Sequence, residues 1–160
     1  MGSTSDLPVM EPALNFLEQQ EIPFEVNALS AHRTPHQVLA FAEAAAERGI
    51  KVIIAAAGGA AHLPGVIAAM TPLPVIGVPI KSTIEGLDAL LAIVQMPPGI
   101  PVATVGVNGA QNAAILAAEI MALADSDIAQ KVTRYKAGLG AKIEKANQDL
   151  AQVKYDYKVN

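Results

Sequence analysis

Apolar side chains at Met10, Leu14 and Leu17 recur at the three-to-four spacing of one helical stripe, which predicts a helix from Pro8 to Gln20. Ser5 and Asp6 stand just ahead of it as N-cap residues. Pro23 breaks this pattern, and "PFEVNAL" reads as a short strand. Thr34 then offers a capping hydroxyl and Pro35 a ring suited to the first helical position, so a second helix runs through "HQVLAFAEAAAERG" and stops at Gly49. In "KVIIAAA" the apolar run is continuous, as in a strand buried on both faces of a parallel sheet. The alternation continues with a helix at "VIAAM", a strand at "PVIGVPI", a helix at "EGLDALLAIVQM", a strand at "PVATVGV" and an alanine-rich helix at "AQNAAILAAEIMAL". Such alternation predicts an α/β domain with a parallel sheet and right-handed crossovers. Its functional loops should gather at the carboxyl ends of the strands.

Two segments depart from the alternation. "MGSTSD" has the form of a loop that leaves a strand and enters a helix, yet no strand stands before it. The expectation is that a first strand lies upstream of Met1 and is missing from this sequence. From Asp125 onward the chain turns charged and lysine-rich, dividing an α/β domain at 1–125 from a helical extension at 126–160. Ser126 is the expected cap of that extension, Ile128, Val132 and Tyr135 form its stripe, and Gly138 and Gly140 should interrupt or bend it. A stripe this narrow fits packing on a neighbouring subunit, and it fits a frayed, solvated helix equally well.

Composition narrows the function. A chain of 160 residues fits one domain with a sizeable core. Although 52% of it is apolar, much of that is alanine, and no run could cross a bilayer, so a soluble protein with no membrane partner is expected. "MGSTSD" lacks the basic flank and apolar stretch of a signal peptide, which predicts a cytoplasmic location. The absence of cysteine excludes disulfides and thiolate chemistry. A net charge of -4 and no tryptophan argue against a general nucleic-acid surface, leaving a small nucleotide as the ligand to expect.

Three loops hold the candidate chemistry: Ser3, Ser5 and Asp6; Ser30, His32 and Arg33; and Ala57, Gly58, Gly59 and His62. Hydroxyls and N–H groups at helix starts, with a guanidinium beside them, suit an anion such as phosphate. The plain alternative makes the serines caps and the arginine a surface charge. An imidazole in the turn between strand and helix can give and take a proton near neutral pH, which favours His32 over His36, placed on the helix. In "AAAGGAAHLPG" the glycines admit a ligand close to the backbone and the alanines leave room, although a tight turn with His62 in the core reads as well. There is no phosphate-binding G-x-x-x-x-G-K-[ST], no nucleophile elbow and no H-E-x-x-H, and three histidines without clustered carboxylates make a poor metal site. The expectation is a pocket without metal or cofactor.

"MGSTSD", "SAHRTP", "AGGAAHLPG", "GVPI", "IVQMPPGIPVATV" and "NAAILAA" occur in the order, and near the spacing, of the class I PurE proteins. The chain resembles these N5-carboxyaminoimidazole ribonucleotide mutases over residues 1–125. The resemblance implies a three-layer α/β/α, flavodoxin-like domain in a homo-octamer, with active sites at subunit contacts. It implies a mutase of purine biosynthesis that moves a carboxylate from the exocyclic nitrogen to ring carbon C4 without ATP, metal or biotin. Carried over by motif, His32 is the general acid and base, Ser3, Asp6 and Arg33 are substrate ligands and Ser30 a phosphate ligand. Gly58, Gly59 and His62 line the imidazole and carboxylate end. The chain departs from the pattern in its missing first strand, in Ala56 where a glycine is usual, in a shorter "KSTIEGLDAL" and in its longer tail. The alternatives are a carboxylase using free CO2, whose members usually lack the "GGAAHLPG" form, and a non-catalytic flavodoxin-like nucleotide-binding module.

Overall fold

The computed structural model describes residues 1–159. Its helices are α1 (Leu7–Gln19), α2 (Pro35–Ala44), α3 (Leu63–Ala69), α4 (Leu87–Val94), α5 (Ala110–Ala122) and α6 (Ser126–Gln152). Its strands are β1 (Ile53–Gly58), β2 (Val75–Ile80) and β3 (Ala103–Thr104). They form one parallel sheet in the order β1-β2-β3, with Ile53 opposite Val75, Gly58 opposite Ile80, and Ile76 opposite Ala103.

Strand alternation sorts the side chains into two cores. Ala56, Ile76 and Val78 face α1 and α5, where Phe16, Ala113 and Ala117 close one core. Ile53, Ala55 and Val75 face α2, α3 and α4, where Val38, Ile67 and Ile93 close the other. The molecule is therefore a parallel sheet between two helical layers, as the alternation of elements predicts. The alanines of α5 keep that helix close to the sheet: Ala113, Ala114 and Ala118 are fully buried. Among the described residues no helix is long and apolar enough to cross a membrane.

Several elements differ from the sequence reading. "PFEVNAL" forms no strand ladder among the described residues; at its end it meets Met1, whose carbonyl accepts from the Leu29 N–H at 2.8 Å and whose α-ammonium donates to the Asn27 carbonyl at 2.9 Å. On its other side the Gly2 N–H donates to the Ala56 carbonyl at 3.2 Å. A ladder needs a paired neighbour along its length, and Met1 and Gly2 supply one only at its end. Helix α2 closes five residues before Gly49, which ends the following turns at φ 87°. The cap of α6 is Asp125, not Ser126: its carboxylate accepts from the N–H groups of Asp127 at 2.9 Å and Ile128 at 3.1 Å. Gly138 and Gly140 do not interrupt α6. The first turns of α6 pack within the domain, where Val132 is buried and the Tyr135 ring meets Phe16 edge-on at 4.9 Å between centroids. Beyond them Leu139, Ile143 and Leu150 are exposed.

Candidate active site

At the start of the chain Ser3 Oγ accepts from the Ser5 N–H at 3.3 Å and so caps a 3-10 turn over Thr4–Asp6. That turn leads straight into α1, whose N-cap position is Asp6; its carboxylate makes no capping bond there. The hydroxyl therefore does the capping expected of the acid, and the Asp6 carboxylate is left for another partner. Ser5 Oγ lies 3.5 Å from Asp6 Oδ1.

The second loop is built around Ser30. Its Oγ accepts from the Arg33 N–H at 3.2 Å and from Arg33 Nε at 3.4 Å, and its N–H donates to Thr34 Oγ1 at 3.0 Å. Thr34 Oγ1 returns a bond to the Ser30 carbonyl at 3.2 Å, closing the turn that feeds α2. Arg33 Nη2 reaches across to the Gly2 carbonyl at 3.0 Å, which ties the first loop to the second. The turn thus fixes the guanidinium at the helix start, where both its charge and the N–H groups favour an anion.

The third loop leaves β1 at Gly58. A Cβ there would stand 3.2 Å from the Ile80 carbonyl and 3.3 Å from Ser82 Oγ, so glycine is what lets the two strand ends close up. Gly59 takes φ 59°, a left-handed conformation natural to glycine, and turns the chain toward His62. His62 is exposed and sits at the N-cap of α3, not in the core. His32 Nε2 and His62 Nδ1 are 2.9 Å apart, with the rings nearly perpendicular at 83°. A neutral pair bonded this way needs a proton on one facing nitrogen and a lone pair on the other. Ala57 is buried just ahead of the turn, and His36 is exposed on α2, away from this pairing.

The structure adds residues that the sequence reading passed over. Ser82, in the loop after β2, accepts from the Gly59 N–H at 3.0 Å. In the same loop the Lys81 N–H donates to Asn108 Oδ1 at 2.9 Å, which brings in the loop after β3. Asn108 takes φ 57°, and its own N–H donates to the Pro79 carbonyl at 2.8 Å. The sequence signal was there: a lysine and a hydroxyl follow "GVPI" as a hydroxyl and arginine follow the second segment. A run of separate bonds between loops therefore follows the carboxyl edge: Arg33 to Gly2, His32 with His62, and Gly59 to Ser82. Ser5 and Asp6 stand outside that run, with no hydrogen bond to the histidine loops among the described residues. No cluster of three or more potential metal ligands occurs among the described residues.

A doubly wound α/β domain with its polar loops gathered at the strand carboxyl ends is the class that this fold and edge define. Residues 1–142 match the AIR carboxylase family, and the chain belongs to it. It is 61% identical over 137 residues to the N5-carboxyaminoimidazole ribonucleotide mutase of Pyrococcus abyssi, covering 85% of this chain and 79% of that one. It is 53% identical to the mutase of Thermotoga maritima, covering 100% of this chain and 94% of that protein. The phosphoribosylaminoimidazole carboxylase of Saccharomyces cerevisiae is 52% identical over 98% of this chain, which spans only 28% of that longer protein. Among solved structures, Treponema denticola PurE superposes with a TM-score of 0.84 at 32% identity, covering 94% of each chain. The fold expected from the sequence is the fold of this relative.

Proposed function

We propose that this protein is an N5-carboxyaminoimidazole ribonucleotide mutase, an isomerase that makes 4-carboxy-5-aminoimidazole ribonucleotide in purine biosynthesis. The observation that carries this reading is the placement of His32 between the Ser30–Arg33 anion turn and the Gly58–Gly59 loop, with His62 in hydrogen-bond reach at 2.9 Å. Ser30 and Arg33 hold the phosphate end, with Ser3, Ser5 and Asp6 on the ribonucleotide. Ala57, Gly58, Gly59 and His62 surround the carboxylate end. The match along nearly the whole of the stand-alone mutases favours this activity over the carboxylase, whose relatives are several times longer.

The chemistry asked of His32 is two proton transfers in one turnover. As imidazolium it gives a proton to the exocyclic nitrogen while the N–CO2 bond breaks, releasing CO2 and an electron-rich aminoimidazole. Ring carbon C4 attacks that CO2, and the now neutral imidazole takes the C4 proton, restoring both aromaticity and the imidazolium. A loop of glycine and alanine keeps the CO2 pocket small, so that recapture at C4 competes with escape. No cofactor enters these steps.

Supplying the carbamate substrate at low bicarbonate and following the C-carboxylated product tests the reading. Product without added CO2 is expected, and turnover only at high bicarbonate means the carboxylase instead. His32→Asn should lower kcat by roughly 10²–10⁴-fold while ligand binding persists, the scale of a lost general acid and base. Absence of turnover in the unsubstituted protein, with ligand binding that His32→Asn leaves intact, means a binding module, and unchanged turnover in His32→Asn removes His32 from the chemistry.

A homo-octamer in the cytoplasm belongs to the same proposal. Ile84, Leu87, Leu91 and Val94 lie exposed along one face of α4 and the turn before it, an apolar strip suited to another copy. Light scattering gives the mass.

A further inference from the structure

The ladder between β1 and β2 ends where Gly58 stands opposite Ile80. Ser82 carries the pairing one step further with a side chain, its Oγ accepting from the Gly59 N–H at 3.0 Å. The bonds that follow Gly59 are local: the Ala61 N–H donates to the Gly59 carbonyl and the His62 N–H to the Ala60 carbonyl, each at 2.8 Å. A turn built on glycine has the freest backbone and no side chain of its own to anchor it. Among the described residues, two hydrogen bonds tie the stretch from Gly59 to His62 to other loops, one at Ser82 and one at His32.

Ser82 is itself held from behind. On one side of it the Lys81 N–H donates to Asn108 Oδ1 at 2.9 Å, and on the other Thr83 Oγ1 donates to the Asp88 carboxylate while the Thr83 carbonyl accepts from the Gly86 N–H at 2.9 Å. Lys81 and Glu85 close the same loop as an ion pair. Ile84, Glu85 and Gly86 follow one another at φ 44°, 57° and 85°, all left-handed. A branched isoleucine keeps that conformation only where its surroundings over-determine it. A Cβ on Gly86 would stand 2.7 Å from Val107 Cγ1 and 3.1 Å from the Lys81 Cα, so the loop is wound closed on itself. The serine hydroxyl is thus presented to Gly59 from a fixed support.

We propose that Ser82 is a positioning residue that keeps the glycine loop shut over CO2 between its release and its recapture, an assignment that rests on the mutase reading. When the N–CO2 bond breaks, its electron pair goes to the nitrogen, which takes the proton of His32, and CO2 is free in the pocket. While the loop stays closed, C4 attacks that CO2 and the C4 proton returns to His32. Once the loop opens, CO2 escapes, the aminoimidazole ribonucleotide leaves, and solvent returns the proton to His32 instead. Ser82 touches none of the reacting atoms; by holding Gly59 it sets the division between these two ends.

The test gives the carbamate substrate, at low bicarbonate, to the unsubstituted protein and to Ser82→Ala and Ser82→Thr. It measures the aminoimidazole ribonucleotide released per C-carboxylated product, less the loss in the absence of protein. Ser82→Ala should raise that ratio by roughly three- to tenfold, the scale of one lost hydrogen bond. KM should stay in place, because the loop is not the phosphate end. Ser82→Thr keeps the accepting hydroxyl and should restore the ratio. Amide exchange at Gly59 should quicken in Ser82→Ala and return in Ser82→Thr, a readout independent of turnover. An unchanged ratio in Ser82→Ala overturns the proposal, and so does unchanged exchange at Gly59. Where the unsubstituted protein forms product, either result leaves the mutase reading standing; no product from the unsubstituted protein overturns that reading and the role of Ser82 with it.

Discussion

The hydroxyl of Ser30 accepts from the Arg33 N–H at 3.2 Å and from Arg33 Nε at 3.4 Å, so one small side chain holds a long cation in place. The far end of that guanidinium is held by the Gly2 carbonyl at 3.0 Å. Ser30→Ala removes the near anchor and frees a flexible side chain that must be ordered again when ligand binds. A tenfold rise in KM, about 1.4 kcal/mol, is the expected scale for one lost bond to a charged group. On the proposed assignment of Ser30 and Arg33 to the phosphate end, which does not change during the reaction, kcat should hardly move. Steady-state kinetics reads this directly, and a fall in kcat equal to the fall in kcat/KM would place Ser30 at the reacting centre. The two histidines are linked differently. With 2.9 Å between His32 Nε2 and His62 Nδ1, one ring donates to the other, so a side-chain bond and not a backbone turn joins these two loops.

Strand β2 carries Gly77 where its neighbours crowd in: a Cβ there would stand 2.4 Å from Ile93 Cγ2 and 3.0 Å from Val102 Cγ1. Gly77→Ala must push α4 off the sheet, and overpacking of this kind costs roughly 1–3 kcal/mol. A lower urea midpoint at unchanged m-value is expected, and unchanged stability would mean that α4 is loosely seated. The need for a glycine inside an otherwise apolar strand is a contact between elements, which no single segment displays. Elements whose own side chains decide them were legible: "KVIIAAA" is continuously apolar because β1 is covered on both faces. "PFEVNAL" has the composition of a strand and fails as one because ladder pairing comes from a neighbour. Gly138 and Gly140 were read as breaks, yet a glycine in a helix costs only about 1 kcal/mol, and α6 carries both. The candidate site divides in the same way. The turn chemistry of Ser30, Arg33 and Thr34 is local and was readable, whereas the meeting of His32 with His62 needs the crossover between them to bring two loops to one edge. Ser82 and Asn108 were missed because each acts on another loop's backbone.

At the scale of the whole molecule, two apolar cores lie on either side of the sheet, and the chain's one α-ammonium stands half-buried at its edge. Loss of solvation favours the neutral amine and lowers its pKa below the ordinary value, while the Asp6 carboxylate acts in the opposite sense. The sign of the linkage follows. Between the folded pKa and the ordinary value of about 7.7–8.0, the unfolded chain holds a proton that the folded chain has released, so stability rises with pH across that window. Below the window both states are charged and the folded state bears the full cost of burying the ammonium. Urea midpoints between about pH 6 and pH 9 should therefore increase as pH approaches about 8 from below and level off above it. N-terminal acetylation should abolish this increase, because it leaves nothing there to ionise. Asp6→Asn should enlarge it, since the Asp6 carboxylate favours the charged ammonium in the folded state. An acetylated chain with the same pH dependence as the free one would assign the effect to another group, and would leave the terminus as an uncharged end resting against β1.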